Sequence, residues 1–351
     1  MAYTKTIMEK EALSVPEKIE KQLKENKKLW TDICLSLKKR DLKYAVTIAR
    51  GSSDHAATFA KYLFEVEMDL VTSSAAPSVY TIYNRKFTHN GGLIMGLSQS
   101  GKSPDLFETI AKATKAGAPT ISLVNQVNSP LADASEFVVP LHADTEVAVA
   151  ATKSYIATLV ALIQFSAIYT NNTELLNALE QLPESLASCG ETNWDSVINS
   201  LEKSQNAYII GRGFSFPIAQ EAALKLKETS SLHAEAFSSA EVLHGPFALV
   251  KKQFPAIIFG QNDEALPGVI ELTKRMTEMG ARTFLCLPDN GSKHSQNIVC
   301  SSRLPMPKSL HPRLDPLMSI QAFYIMAARL AIKRGLNPDA PDNLKKVTET
   351  R

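Results

Sequence analysis

The chain contains little cysteine: there are four in 351 residues, Cys34, Cys189, Cys286 and Cys300. They lie far apart, form no CxxC pair and have no histidines at zinc-finger spacing. This pattern argues against a disulfide framework and against a structural metal. We therefore expect free thiols, no bound metal and a reducing compartment, the cytoplasm.

Neither sign of charge predominates, since 38 lysines and arginines stand against 36 aspartates and glutamates. A broad basic surface of the kind that binds nucleic acid is therefore not expected. The longest apolar run, Tyr155 to Tyr169, is shorter than the roughly 20 residues that a membrane-spanning helix needs and predicts a buried helix. The first residues, MAYTKTIMEKEALSVPEKI, lack the apolar core of a secretion signal and predict an amphipathic helix. Neither nucleic acid nor membrane is expected as a partner.

One sequence unit occurs twice, which fits the two domains expected for a chain of 351 residues. KYAVTIARGSSDHAATFAKYLFE, from Lys43, aligns with QNAYIIGRGFSFPIAQEAALKLK, from Gln205. At the same offset, Gln99 at the end of LIMGLSQ aligns with Gln261 at the end of IIFGQ. Each unit has an apolar run, a turn with glycine and an alanine-rich segment, so an internal duplication is indicated.

The apolar runs of both units are continuous rather than alternating: AVTIA, LIMGL and TISLV in the first, AYIIG, AIIFG and TFLCL in the second. Continuous apolar strands between helices are typical of parallel sheets covered on both faces. We therefore predict an α/β protein of two doubly wound, three-layer domains with mostly parallel sheets. The expected domains are residues 1–190, with the amino-terminal helix, and 191–351, with the carboxy-terminal tail. Thr173 to Lys203 is predicted to be a helical connection.

Two strand-to-helix turns of the first unit are rich in hydroxyl groups, ARGSSDHA and LSQSGKSPD. Hydroxyls and backbone N–H groups at a helix N-terminus suit a phosphate, whose oxygens only accept hydrogen bonds. Serine is also a common helix cap, and that alternative is open for each turn. Neither turn has a dinucleotide or Walker pattern, so a nucleotide is not implied. The candidate anion-binding residues are Gly51, Ser53, Ser98, Gln99, Ser100 and Ser103.

Acidic and basic residues are concentrated between Gln220 and Val250, in a stretch that reads as a buried helix. On a helix, Glu221, Lys225 and Glu228 stand at i, i+4 and i+7 and share one face. They could form a functional cluster or an ordinary i,i+4 ion pair. The spacing of His233 and His244 with the intervening Glu235 fits no usual metal site, so we favour structural or catalytic roles for them.

A family resemblance rests on several strings in order along nearly the whole chain. They are ARGSSDHAATFAKYLFE, SQSGKSPD, VAATKSY, GRGFSFPIAQEAALKLKE, HAEAFSSAEVLHGP and NLKKVT. Together they resemble the sugar isomerase (SIS) domain proteins, specifically the double-SIS isomerase half of glucosamine-6-phosphate synthases. GKSPD and AEAFSSAEVLHGP are most similar to the SIS-type glucosamine-6-phosphate deaminases. The synthases begin with a glutaminase whose nucleophile is cysteine, whereas this chain begins Met1-Ala2, which favours a deaminase.

The resemblance implies a role for each residue. Glu228 would move a proton between C1 and C2 of the open-chain sugar, with Lys225 and Glu221 positioning it and the sugar hydroxyls. His244, supplied by the neighbouring subunit of a homodimer, would assist ring opening, and Lys346 would form a Schiff base with the ketose. Alignment on Val347-Thr348 would select Lys345 in place of Lys346.

Two departures from the synthase pattern affect the sugar site. The acidic residue that follows SQSG in the synthases is replaced by Lys102, although Ser103 keeps a hydroxyl. VASTK is replaced by VAATK, with Ala151 lacking a hydroxyl, so that contacts around the candidate substrate residue Val149 are altered.

The expected function is conversion of glucosamine 6-phosphate and water to fructose 6-phosphate and ammonia, with no cofactor. Another phosphorylated amino sugar, such as galactosamine 6-phosphate or a fructosamine phosphate, would use the same phosphate pocket. A non-catalytic sugar-phosphate sensor is the alternative outside enzymes. A sensor needs the serine turns but not Glu228, His244 and Lys346 together, and the presence of all three favours an enzyme.

Overall fold

The computed structural model describes residues 4–88, 90–291 and 298–346. These fall into two compact units, each built from segments that are not contiguous in sequence. The first-sheet unit consists of the described parts of residues 17–146, 153–180 and 345–351, and the second-sheet unit of those of residues 1–16, 147–152 and 181–344. The predicted domain boundary between residues 190 and 191 stays a prediction. It was drawn from the sequence repeat, whereas these two units are groups of residues that contact one another.

The elements up to the middle of the chain follow the predicted alternation of strands and helices. They are α1 (Ile7–Leu13), α2 (Val15–Leu37), β1 (Tyr44–Ile48), α3 (Ser52–Met68), β2 (Thr72–Ser74), α4 (Ser78–Thr81), β3 (Gly92–Ser98), α5 (Pro104–Lys115), β4 (Thr120–Val124), α6 (Pro130–Asp133), β5 (Phe137–Pro140), α7 (Lys153–Thr170) and α8 (Thr173–Cys189). The amino-terminal helices and the helical connection through α8 confirm the sequence-based expectations.

The remaining elements repeat the pattern. They are α9 (Asp195–Leu201), β6 (Asn206–Gly211), α10 (Phe216–Ser230), β7 (His233–Ser238), β8 (Pro255–Phe259), α11 (Leu266–Glu278), β9 (Arg282–Cys286), β10 (Ser302–Leu304) and α12 (Asp315–Lys333). Short 3-10 turns cover Gly213–Ser215, Glu241–Leu243 and Pro246–Leu249.

Each unit has a five-stranded sheet whose strand pairs are all parallel. The orders are β2-β1-β3-β4-β5 and β10-β9-β8-β6-β7. Counted along the chain within each sheet, both orders are 2-1-3-4-5, a doubly wound arrangement. The predicted α/β fold with two parallel, duplicated, three-layer domains is confirmed.

The stretch from Gln220 to Val250 is not one helix, which corrects the sequence-based reading. Helix α10 ends at Ser230, and Ser231 has a left-handed backbone with φ of 47°. The following residues form β7, which pairs with β6 from Asn206↔His233 to Gly211↔Ser238. Edge pairing to β6 therefore overrides the helical appearance of HAEAF.

Helix α7 is buried along almost its whole length, from Lys153 to Ala167, as its apolar sequence predicts. None of the helices in the described ranges is long and apolar enough to cross a membrane. All four cysteines are free thiols, as expected. Burial raises the pKa of the Cys34 and Cys286 thiols to about 12, so these thiols are poor nucleophiles at neutral pH.

As a sequence, the apolar stretch Pro316 to Leu330 predicts a large packing surface for a second subunit, but helix α12 does not offer such a surface. Its residues from Asp315 to Ala328 are buried within the chain. Helix α12 packs against α1, α9 and α10 of the same unit. The apolar face is therefore already covered and cannot serve as the reason for dimerisation.

Asp315, at the start of α12, is a buried carboxyl group. Its oxygens accept hydrogen bonds from the Asn262 backbone N–H at 2.9 Å and from the Ser309 hydroxyl at 2.6 Å. Burial raises the pKa of Asp315 from 3.8 to about 6. The folded state therefore holds this proton more tightly than the unfolded state does.

We expect this carboxyl group to make stability depend on pH. Its favourable contribution is complete below the unfolded pKa of 3.8 and is lost as pH rises through about 6. Asn does not titrate, so Asp315→Asn lacks this pH dependence. The unfolding free energy of Asp315→Asn minus that of wild type should therefore rise by roughly 3 kcal/mol between pH 3.8 and about 6, at about 1.4 kcal/mol per pKa unit. Urea unfolding at pH 4, 5, 6 and 7 measures it; a difference independent of pH would refute the assignment.

Candidate active site

The two serine-rich turns lie at one edge of the first sheet. Strands β1 and β3 are parallel neighbours, with Ile48 beside Gly96, and the chain leaves them towards opposite sides of the sheet. Such a topological switch point is where doubly wound folds bind ligands, outside the carboxyl ends of the strands. The turns after β1 and β3 therefore occupy the position that the fold favours for a ligand.

The turn after β1 needs glycine. Gly51 has φ of 58° and ψ of −132°, and a Cβ at this position would meet nothing within 4 Å. Its carbonyl oxygen accepts the N–H groups of Asp54 and His55 as α3 begins. The backbone is thus exposed to an incoming group, with half-buried Ser53 in the first turn of α3.

The turn after β3 holds two buried serine hydroxyls as acceptors. Ser98 Oγ accepts the Gly101 N–H at 3.0 Å, and Ser100 Oγ accepts the Lys102 N–H at 3.4 Å. Each hydroxyl hydrogen can then be donated to a phosphate oxygen. Neither serine caps a helix, because the residues preceding α3 and α5 are Gly51 and Ser103.

Gly101 keeps this turn compact. Its φ is 65°, and an added Cβ would lie 2.2 Å from the Ser129 Oγ. The Gln99 carbonyl accepts the N–H groups of Asn125 and Gln126, both at 3.2 Å, which ties the turn to the end of β4. Ser103 is buried at the N-terminus of α5 and makes no capping hydrogen bond to that helix through its side chain.

An ion pair joins the two turns. Arg50, just after β1, places its Nε and Nη2 atoms each 2.8 Å from the Asp105 Oδ2 in the first turn of α5. The Asp105 side chain is 1% exposed. The pair fixes the spacing between the helix N-termini that would hold the anion.

The equivalent position in the second sheet is filled by the protein's own side chains. Buried Gln261 accepts the Ser215 hydroxyl and donates to the Arg212 carbonyl at 2.9 Å. It also donates to Asp263 at 3.2 Å, and this carboxylate pairs with Arg313. In the described residues, this turn of the second sheet therefore has its polar groups bonded to one another, unlike the serine turns of the first sheet.

Three charged residues of α10, Glu221, Lys225 and Glu228, form a cluster at a single helix face. The Lys225 Nζ lies 3.5 Å from the Glu221 Oε1 and is hydrogen-bonded to the Glu228 Oε2. Tyr324 of α12 donates to the same Glu221 oxygen at 3.0 Å. Glu221 and Lys225 are almost inaccessible, whereas the Glu228 side chain is 22% exposed. This burial is unlike that of an ordinary surface ion pair.

Glu228 faces a cavity of about 520 Å³, within the range of small-molecule pockets. Its lining combines α10 with the chain after α12, including Leu224, Leu336 and Asn343. Of the α10 cluster, Glu228 is the member that lines this cavity. The arrangement presents one carboxylate to a ligand and keeps its lysine partner buried.

The segment containing Val149 is held by a buried carboxylate and by the tail. Glu11 of α1 accepts the N–H groups of Val147 and Ala148 at 2.6 and 3.3 Å. The Val149 N–H donates to the Asp339 carbonyl at 3.0 Å. The backbone around the candidate substrate residue is therefore fixed on two sides.

Lys346 and Lys345 differ in their surroundings. The Lys346 Nζ lies 3.4 Å from the Glu146 Oε2, whose side chain is fully buried. The Ser154 hydroxyl donates to the same Glu146 oxygen at 2.7 Å. Lys345 is exposed.

His244 is exposed and follows the turn Glu241–Leu243. The hydrogen bond found for it is backbone, from its N–H to the Glu241 carbonyl at 2.9 Å. The structure therefore does not join it to Glu221, Lys225 and Glu228, and its role in a neighbouring subunit stays a prediction. In the described ranges, no cluster of three or more His, Cys, Asp or Glu residues could hold a metal.

Sequence reasoning missed three buried side chains around these groups: Tyr324, Glu146 and Glu11. Each is a polar residue in a buried segment, which is a weak signal in sequence. Their partners lie more than 100 residues away, except for the contact of Glu146 with Ser154.

The fold defines a tandem pair of doubly wound, parallel α/β domains. The SIS domain matches residues 40–167 and 200–326, and the chain belongs to the SIS domain family. A glutamine–fructose-6-phosphate aminotransferase (isomerizing) of Aquifex aeolicus is 30% identical over 347 residues, which cover 97% of this chain and 57% of that protein. The chain spans about half the length of the curated relatives it matches.

Solved structures support the same assignment. A protein of Silicibacter pomeroyi DSS-3 assigned as a phosphosugar isomerase is 34% identical with a TM-score of 0.89, covering 95% of this chain and 100% of its own. The C-terminal domain of a Francisella tularensis glucosamine-fructose-6-phosphate aminotransferase is 25% identical with a TM-score of 0.83, covering 96% and 99%. A Thermotoga maritima glucosamine-6-phosphate deaminase, 23% identical with a TM-score of 0.69 over 96% and 100%, shares the fold.

Proposed function

We propose that the protein is a glucosamine-6-phosphate deaminase of the phosphosugar isomerase type. The observation that carries the proposal is the α10 cluster, in which a cavity-facing carboxylate, Glu228, is hydrogen-bonded to the buried ammonium of Lys225. A positioned carboxylate next to a small-molecule cavity is suited to moving a carbon-bound proton.

The serine turns supply the proposed phosphate site. Ser98 and Ser100 would donate their hydroxyl hydrogens, and Ser53 in the first turn of α3 and Ser103 just before α5 would also contribute. Backbone N–H groups at these two helix N-termini, after Gly51 and Ser103, add favourable dipoles for an anion. Val149 would contact the substrate from its fixed backbone segment.

The reaction is an isomerisation followed by hydrolysis. After ring opening, Glu228 takes the proton from C2 and returns a proton to C1. A second proton passes from the amine nitrogen to O1, so the C1 aldehyde becomes an alcohol and the amine carbon becomes an imine. Water adds to C2 of that imine and ammonia leaves, giving fructose 6-phosphate. Hydrogen and electrons move within the substrate, so the proposed steps use no redox cofactor.

Lys225 and Glu221 position Glu228 in this proposal. Lys346 would bind the ketose product through a reversible Schiff base at C2, formed with loss of water and released by hydrolysis. The contact between Lys346 and buried Glu146 favours this lysine over exposed Lys345.

His244 would assist ring opening in the neighbouring subunit of a homodimer. Sedimentation analysis can measure this assembly state. A monomer with full activity would contradict this role. The four free thiols, three of them buried, support a cytoplasmic location.

The substrate is tested with a panel of phosphorylated amino sugars and the full chain. We expect glucosamine 6-phosphate to yield ammonia and fructose 6-phosphate in equal amounts. Galactosamine 6-phosphate and fructosamine 6-phosphate test the related activities, and unphosphorylated glucosamine tests the need for the phosphate.

Three outcomes would contradict the proposal. Faster turnover of another hexosamine phosphate would move the substrate assignment within the same reaction class. Isomerisation of sugar phosphates without ammonia release would make the protein an isomerase. Tight binding without any turnover would support the sensor alternative.

A further inference from the structure

Tyr324 makes a buried contact to the α10 cluster that the proposed reaction does not yet use. This tyrosine is fully buried on α12, and its hydroxyl donates to the Glu221 Oε1 at 3.0 Å. The same oxygen lies 3.5 Å from the Lys225 Nζ. Tyr324 is thus connected to Glu228 through two intermediate side chains.

The buried ammonium group of Lys225 lies close to two carboxylates, Glu221 and Glu228. The way in which its charge is shared between them affects the ability of Glu228 to accept a proton. When Glu221 is ionised it shares the positive charge of Lys225, and Glu228 remains available to accept a proton. A hydrogen bond from a hydroxyl favours the ionised carboxylate. Without that donor, Glu221 is a buried carboxylate with less support for its charge.

Other charged groups lie near the cluster. Lys227 and Asp342 line the Glu228 cavity, and Arg334 donates to the Ser230 carbonyl at the end of α10. The hydroxyl of Tyr324 reaches Glu221 from α12. Through this contact α12 can act on the cluster.

We propose that Tyr324 is a positioning residue that acts through Glu221 to hold Lys225 and Glu228 in their reactive arrangement. The proposal rests on the proposed function for its kinetic part. It assigns a specific role to a tyrosine more than 90 residues away in sequence from the cluster.

A double-mutant cycle tests whether Tyr324 acts through Glu221. Tyr324→Phe should lower kcat for ammonia release about tenfold with KM little changed, the size expected for a lost hydrogen bond to a charged group. In a Glu221→Gln background the same change should have less than about a twofold effect, because its route to Lys225 is already broken. Equal losses in both backgrounds would overturn the proposal.

Tyr208→Phe is the matched control. Tyr208 is another buried tyrosine of the same unit, and its hydroxyl donates to the Pro246 carbonyl at 2.8 Å. It should lose stability on the same scale as Tyr324→Phe while keeping kcat. A kcat loss as large in Tyr208→Phe as in Tyr324→Phe would show a general packing effect and would refute the positioning role.

A spectroscopic measurement separates this proposal from the proposed reaction. In protein labelled with ¹³C at glutamate carboxyls, the Glu228 signal is assigned by its absence in Glu228→Gln. We expect it to shift in Tyr324→Phe and to stay in place in Tyr208→Phe, whether or not glucosamine 6-phosphate is a substrate. An unmoved Glu228 signal in Tyr324→Phe would refute the connection even if ammonia release is confirmed.

Discussion

Glu228→Gln is expected to lower kcat for ammonia release by at least about 100-fold, with KM largely unchanged. Glutamine keeps the size and a hydrogen-bonding oxygen of the side chain but cannot accept the C2 proton. The neighbouring Lys225 and Glu221 remain in place, because Glu221 keeps its own contact to Lys225. Steady-state kinetics with glucosamine 6-phosphate measure the effect.

Glu235→Gln is the matched control for this change. Glu235 is an exposed glutamate on β7 of the same unit, outside the α10 cluster. It should retain wild-type kcat. If Glu228→Gln turned over as fast as Glu235→Gln, Glu228 would be a structural partner of Lys225, and a different base such as His244 would have to be considered.

Replacing Ser98 and Ser100 together by alanine is expected to raise KM for glucosamine 6-phosphate by about 100-fold or more. Each hydroxyl would lose one hydrogen bond to a charged phosphate, and such bonds contribute about 1.5–3 kcal/mol each. The α10 cluster is untouched, so kcat at saturation should fall much less. Initial rates over a wide substrate range measure both constants.

Ser122→Ala provides the control for loss of a buried serine in the same sheet. Ser122 lies within β4 rather than in a turn after a strand. The KM of the Ser122→Ala variant for glucosamine 6-phosphate should stay near that of wild type. An unchanged KM in the Ser98→Ala/Ser100→Ala variant would place the phosphate elsewhere and would remove the main reason for locating it at the β1–β3 switch point.

Much of the fold could be predicted because its central strands are continuous apolar runs. The six predicted runs became β1, β3, β4, β6, β8 and β9, whose faces are both covered. The edge strands could not be predicted: β2 and β10 have three residues each, and β7 is polar on part of its length. Their pairing depends on a neighbouring strand, not on their own sequence.

The candidate site was predictable where its residues are close in sequence. Glu221, Lys225 and Glu228 follow from helical spacing, and Ser98 and Ser100 follow from one turn. The contacts of Tyr324 with Glu221 and of Lys346 with Glu146 join residues 103 and 200 positions apart. Such pairs arise from tertiary packing and leave no local pattern to detect.

The covered face of α12 shows a related limit. Its apolar sequence correctly predicted a packing surface, but periodicity does not say which partner covers it. In the structure α1, α9 and α10 do so within the chain. The proposed homodimer must therefore rest on its own test and not on the apolar character of this helix.

The central claim is tested most directly by running the ammonia-release reaction with glucosamine 6-phosphate that carries deuterium at C2. The account predicts equal amounts of ammonia and fructose 6-phosphate, with the C2 deuterium either moved to C1 or exchanged into water, because Glu228 must remove it before the imine forms. Mass spectrometry and NMR of the product locate the label. Ammonia release that leaves deuterium at C2 of an aldose phosphate, or no ammonia release at all, would contradict the account.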